Sequence, residues 1–171
     1  THDGGLTAIR IEGPTNSVDQ RLNRLSKELD LLDQELSILD NEQSNIFWSR
    51  TKNLEVFKKL EINLLRIVLP ISETLQVIQK LKSYDIKYFI DWGGNLIWAA
   101  FESLNAKILN DIKDIVKKHQ GYVTLIKVEE DLKASADIFT IDPIKYKISE
   151  KIKRSFDPKR IFNPGKMYTG I

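Results

Sequence analysis

The chain has 171 residues, enough for one domain to bury a core without covalent staples. It contains no cysteine, which excludes disulfide scaffolds, thiolate metal sites, bound iron–sulfur clusters and cysteine nucleophiles within it. With 26 Lys and Arg against 24 Asp and Glu the net charge is +2, too balanced for a protein that binds nucleic acid by neutralising phosphates.

Leu6 to Glu12 alternates apolar and polar residues, less cleanly at Ile9 and Ile11, and stops at Gly13-Pro14, which predicts a strand. Asn16 or Ser17 is suited to cap a helix with a narrow apolar stripe of Val18, Leu22, Leu25, Leu29 and Leu32. Glu35 to Leu39 predicts a second strand. The polar run Asp40 to Ser44 then leads into a helical stretch with Ile46, Phe47, Trp48 and Leu54. Asn63 to Leu69, rich in branched residues and closed by Pro70, is the clearest strand. Ser72 is expected to cap the next helix, with Leu75, Ile78 and Leu81 toward the core.

Lys87 to Trp92 and Leu96 to Phe101 predict a hairpin turning at Gly93-Gly94-Asn95. Asn105 caps a helix with Ile108, Ile112, Ile115 and Val116 on one face, ending before Gly121, and Tyr122 to Val128 is the next strand. Glu129 to Thr140 reads as a polar connection. Pro143 opens a last helix on which Ile148, Ile152 and Phe156 step by four, opposite Lys145, Lys147, Lys151, Lys153 and Arg154. From Asn63 to Val128 the order is strand, helix, strand, strand, helix, strand, the split arrangement of a ferredoxin-like fold. The expected class is therefore α+β, an antiparallel ferredoxin-like sheet with helices mainly on one face. Leu6 to Leu39 is expected to add part of a second such unit to one continuous sheet.

No phosphate-cradling loop is present, since Gly4-Gly5 and Gly93-Gly94 are isolated pairs. No nucleophile elbow or Ser/His/Asp set occurs. His2 and His119 are too far apart in sequence to suggest a zinc site and read as solvated surface residues, so no metal is expected. No apolar run approaches the ~20 residues that span a bilayer. The only methionine is Met167 and the chain opens with Thr1, so it reads as a piece of a longer protein.

The final residues, Phe156 to Ile171, combine prolines, Gly165 and Asn163 with Ile161, Phe162, Met167 and Tyr168, a composition unsuited to regular structure but rich in apolar surface. Phe156-Asp157-Pro158 followed by Ile161-Phe162-Asn163-Pro164-Gly165-Lys166 and Met167-Tyr168 resembles the C-terminal signature of FAD-linked oxidases of the vanillyl-alcohol oxidase type. Asp91-Trp92-Gly93-Gly94, the strand with Trp98, and Gly121 with Thr124-Leu125 are similar to the FAD-binding accessory subunit of bacterial glycolate oxidase. The Glu12-Gly13-Pro14 turn, Phe47-Trp48 with Arg50, and Leu69-Pro70 fit the same subunit. Tyr122 stands where that family often has histidine, so a role of that histidine does not carry over. The histidine-rich motif of the metal-dependent relatives is likewise missing.

The resemblance implies that residues 1–171 are a single cap domain, with 157–171 as a tail docking on an N-terminal flavin domain. It implies FAD as cofactor, a small 2-hydroxy acid such as glycolate as substrate, and two partners, a larger FAD-linked oxidase subunit and an iron–sulfur subunit. The expected location is cytoplasmic, peripheral to the inner membrane through those partners and without insertion. Toward the flavin the tail would offer Asn163, Gly165 and Lys166; equally, Asn163-Pro164-Gly165 reads as a turn that anchors the terminus. Among the cleft candidates, Arg66, like Arg50, would face an organic acid, Asp91 offers a carboxylate, and Trp92 an apolar plane beside two glycines; the plainer alternative is solvated surface arginines and a tight hairpin with Trp92 and Trp98 packed on the sheet. No catalytic residue is assigned. A ferredoxin-like interaction or ligand-sensing module is the competing reading. An RNA-binding sheet is weaker, because the strands lack its stacking motif.

Overall fold

The structure, a computed structural model, describes residues 5–30, 36–58, 63–140, 142–166, 168 and 171, and only the backbone of 30, 134 and 135. The expectations that touch His2, Gly4, Leu32, Glu35 and Met167 lie outside the described residues. The chain divides into two compact units, 1–58 and 59–171.

The first unit carries helices α1 (Thr15–Asp30) and α2 (Asn41–Lys52). Val18, Leu22, Leu25 and Leu29 are half-buried along α1 as their spacing predicts. The helix starts earlier than expected, because the Pro14 carbonyl accepts the N–H groups of Ser17 and Val18. A capping box starts α2. The Asp40 carboxylate accepts from Gln43 N at 2.8 Å, and the Gln43 side chain takes the Asp40 N–H. Leu6–Glu12 and the described part of the second expected strand, 36–39, are irregular and mostly exposed, so this unit adds no strand among the described residues. The reason is visible in the pattern. Leu6 and Ala8 share one parity and Ile9 and Ile11 the other, so no single apolar face exists for a sheet to bury.

The second unit is the ferredoxin-like fold. Strands β1 (Asn63–Val68), β2 (Lys87–Asp91), β3 (Leu96–Phe101) and β4 (Tyr122–Lys127) form one sheet in the order β2-β3-β1-β4, every neighbouring pair antiparallel. Helices α3 (Ile71–Leu81) and α4 (Ala106–Lys118) join β1 to β2 and β3 to β4. Their Val77, Ile78, Leu81, Leu109, Ile112 and Val116 form the core with Leu65, Ile67, Ile97, Ala99, Phe101, Val123 and Leu125 of the sheet. Both helices thus cover one sheet face.

Two local expectations on α3 fail. Pro70, not Ser72, takes the N-cap position, its ψ of 139° being already extended as that position requires. The buried residues are Thr74, Val77, Ile78 and Leu81, while Leu75 is exposed, being about 100° round the helix from Thr74. Asn105 caps α4 as predicted, accepting from Ile108 N at 2.9 Å. His119 is not a solvated histidine. Its Nδ1 lies 2.5 Å from Glu73 and its Nε2 2.7 Å from Lys80, joining the end of α4 to α3.

The polar connection after β4 holds a short helix, α5 (Glu130–Ser135), and then runs back along the sheet edge. Leu125 N donates to the Ile138 carbonyl and Thr140 N to that of Val123, so Phe139 bridges to Thr124. This places the start of α6 (Pro143–Phe156), capped by Asp142, beside β4.

Candidate functional site

The sheet face opposite α3 and α4 is where chemistry-bearing residues gather. Register places Phe89, Trp98, Arg66 and Thr124 in one row across the four strands, and Asp91, Leu96, Val68 and Tyr122 in the next. Alternation along each strand sends these residues to the side away from the core.

Arg66 is the centre of this face. Its guanidinium sits over the Trp92 ring, 4.9 Å from the centroid, and among the described residues it has no carboxylate within ion-pair reach. A half-buried arginine, stacked on an indole and lacking an acid, is a cation with unused donors.

Trp92 is held there by a built loop. Its φ is +55°, a value that costs a side chain about 1–2 kcal/mol and persists only where surroundings impose it. The Asp91 carboxylate accepts from Trp92 N at 2.7 Å, and the Thr74 hydroxyl donates to the Gly94 carbonyl. Asn95 exchanges two hydrogen bonds with the Leu69 backbone at 3.0 and 3.2 Å. Gly94, at φ +119°, passes so close to α3 that a Cβ would come within 2.6 Å of Ile71. The structure therefore brings Arg66, Asp91 and Trp92 together, with Asp91 spent on the loop. Arg50 belongs to the first unit. It is exposed there and lies 3.9 Å from Glu55.

The tail is a second group. Asp157, buried at the end of α6, accepts from Ile161 N at 3.0 Å and Phe162 N at 2.9 Å and pairs with Lys153 at 2.7 Å. Lys153 first, and those two N–H groups after it, hold the Asp157 carboxyl below the usual carboxylate range. This carboxylate folds the chain into the turn that follows. Asn163, at φ +46°, accepts from Lys166 N through its carbonyl, and Gly165 N donates to the Ile171 carbonyl at 2.7 Å. Asn163, Gly165 and Lys166 are exposed, and the side chains of Asn163 and Lys166 make no hydrogen bond among the described residues. No hydrogen bond, ion pair or ring contact joins them to Arg66, Asp91 or Trp92. Tyr168 instead anchors the tail, buried against Phe139 and Tyr146 with ring centroids 6.0 and 6.2 Å away.

Helix α6 is turned inside out. Its inner face is Tyr146, Ser149, Glu150 and Lys153, all half-buried, whereas Ile144, Ile148, Ile152 and Phe156 are 72, 53, 55 and 85 % exposed. Ile161 and Phe162, both 67 % exposed, lie in the tail that follows. This leaves a continuous apolar stripe in solvent.

Residues 139–167 match the family of FAD linked oxidases, C-terminal domain. The matched segment runs from the Phe139 bridge through α6 and the Asp157 turn to the end of the Asn163–Lys166 turn. It supports an FAD-linked oxidase domain, with FAD the cofactor that such a family implies. No curated protein and no solved structure matches the chain.

Sequence reading missed the Phe89–Trp98–Arg66–Thr124 row, which only strand register creates, and the work of Asp157. The latter had a signal, since Lys153 stands four residues before Asp157 on the helix. Among the described residues no cluster of three potential metal ligands occurs, and no helix is long and apolar enough to cross a membrane.

Proposed function

We propose that this chain is the C-terminal cap domain of an FAD-dependent 2-hydroxy acid oxidase or dehydrogenase, of the kind that acts on glycolate. The observation that carries the reading is the FAD-linked oxidase match over residues 139–167, which falls on the segment that leaves its apolar side chains in solvent. In this reading the exposed stripe of α6, with Ile161 and Phe162, covers the flavin-binding part of the same protein. Asn163 offers an amide and Lys166 an ammonium, groups able to meet the polar edge of the flavin ring. Bound flavin supplies the hydride acceptor. Arg66 takes the substrate carboxylate through two parallel N–H donors, and Trp92 keeps the guanidinium partly out of water, where each bond is worth more. The cap also sheds water from the reacting carbon.

The remaining parts of the reading follow from the resemblance of the tail and hairpin. They are assembly with a larger FAD-linked oxidase subunit and an iron–sulfur subunit, and a cytoplasmic position at the membrane through them. The test is anaerobic bleaching of the flavin in the full-length protein by glycolate and D-lactate, repeated in Arg66→Met. The expected result is bleaching by at least one acid and a roughly tenfold to hundredfold higher KM in the variant, with its thermal stability kept. Flavin that neither acid nor any other 2-hydroxy acid bleaches would remove the substrate assignment. It would leave a ferredoxin-like interaction module on a flavoprotein.

A further inference from the structure

At the outer edge of the sheet, β4, the Phe139 bridge, α6 and Tyr168 enclose an open groove of about 410 Å³. We propose that this groove binds a small carboxylate with an aromatic or branched apolar body, gripped by Lys145 and Tyr122. The groove shares Thr124 with the Arg66 row and Ile148 with the exposed stripe of α6, but its polar end, Lys145 and Tyr122, belongs to neither and does not rest on the flavin reading.

Its polar end is directional. Lys145 Nζ donates to the Tyr122 hydroxyl at 2.9 Å and lies 4.4 Å from that ring's centroid. Because the phenol oxygen is accepting, its own hydrogen is left to donate, as are two of the three ammonium hydrogens. The Ser149 and Thr124 hydroxyls, also in the wall, have no partner among the described residues. Thr140 Oγ1 accepts from Val123 N at 3.3 Å, which leaves its hydrogen free. The groove thus gathers the Lys145 ammonium and the hydroxyls of Tyr122, Thr124, Thr140 and Ser149, each with a hydrogen that can be turned to the oxygens of an anion. The opposite wall, Phe139, Ile148 and Tyr168, is apolar and suits a ring or branched chain.

One carboxylate opposes this. Asp142 Oδ2 stands 3.8 Å from Lys145 Nζ, while Asp142 Oδ1 is committed to Ile144 N and Lys145 N at 2.9 Å each. The local net charge is therefore near zero, and binding must come from aimed hydrogen bonds plus apolar contact. Both halves of the ligand are then required. Acetate should bind poorly and benzamide not at all, whereas benzoate has both features.

The experiment is a titration of the isotopically labelled protein with benzoate, benzamide and acetate at pH 7, read by amide chemical shifts. The expected result is saturable benzoate shifts centred on Thr140, Lys145 and Ser149. They should weaken at least tenfold in Lys145→Met, as the loss of a charged hydrogen bond implies, and measurably in Tyr122→Phe. Arg66→Met should leave them unchanged. Absence of saturation, equal binding of benzamide, or benzoate shifts that centre on Arg66 or survive Lys145→Met would each overturn the proposal.

Discussion

Asp157 shows how one side chain turns a helix into a tail. It ends α6, binds two N–H groups of the next turn and neutralises Lys153, so its removal should release residues 161–166 while the sheet stays folded. Asp157→Asn is expected to lower the melting temperature near neutral pH. The sign with pH follows from the depressed carboxyl. Its stabilising contribution is complete above the unfolded value of about 3.9 and disappears as pH falls through the lower folded value. The difference in melting temperature between wild type and variant should therefore shrink below about pH 4. A difference that stays constant down to pH 2 would contradict this role.

Gly94 is the complementary case, a residue needed for what it lacks. Gly94→Ala places a methyl against Ile71 in a backbone conformation that side chains avoid, and should cost about 1–3 kcal/mol in denaturant unfolding. The hairpin and its two glycines were legible from sequence. That Trp92 adopts a positive φ and carries Arg66 on its ring was not, because such a contact depends on register and loop closure.

Among the elements, those with a strong single-face pattern matched expectation. The stripe Val18, Leu22, Leu25 and Leu29, the branched run of β1 and the Asn105 cap each bear a pattern that one structure satisfies. Leu6–Glu12 had apolar residues on both parities and formed no strand. Helix α6 had the clearest amphipathic pattern near the C-terminus, yet its apolar stripe faces solvent and its inner face is polar. Sequence periodicity shows that a stripe exists, not which way it faces. The double variant Ile152→Ser, Phe156→Ser should shift unfolding free energy by no more than about 1 kcal/mol, as exposed substitutions do. The same variant should lower flavin occupancy of the full-length protein. Unchanged occupancy would contradict the docking role of α6.

At the scale of the whole chain, the second unit keeps helices on one sheet face and gathers Arg66, Trp98, Phe89 and Thr124 on the other. The strand order followed from the order of elements, because antiparallel neighbours joined by two crossovers leave few arrangements. The anticipated continuous sheet through both halves did not form among the described residues, since the first unit contributes helices alone. The tail motif from Phe156 pointed to FAD-linked oxidases from sequence, and the match over residues 139–167 includes most of that motif.

The most direct measurement is the flavin-to-protein ratio, from visible absorbance, of the full-length protein purified with added FAD, beside the same protein ending before Asn163. The intact protein should be yellow and stoichiometrically loaded, and the shortened one folded but depleted of flavin. An intact protein that stays colourless, or a shortened one that keeps its full complement, would contradict the cap assignment.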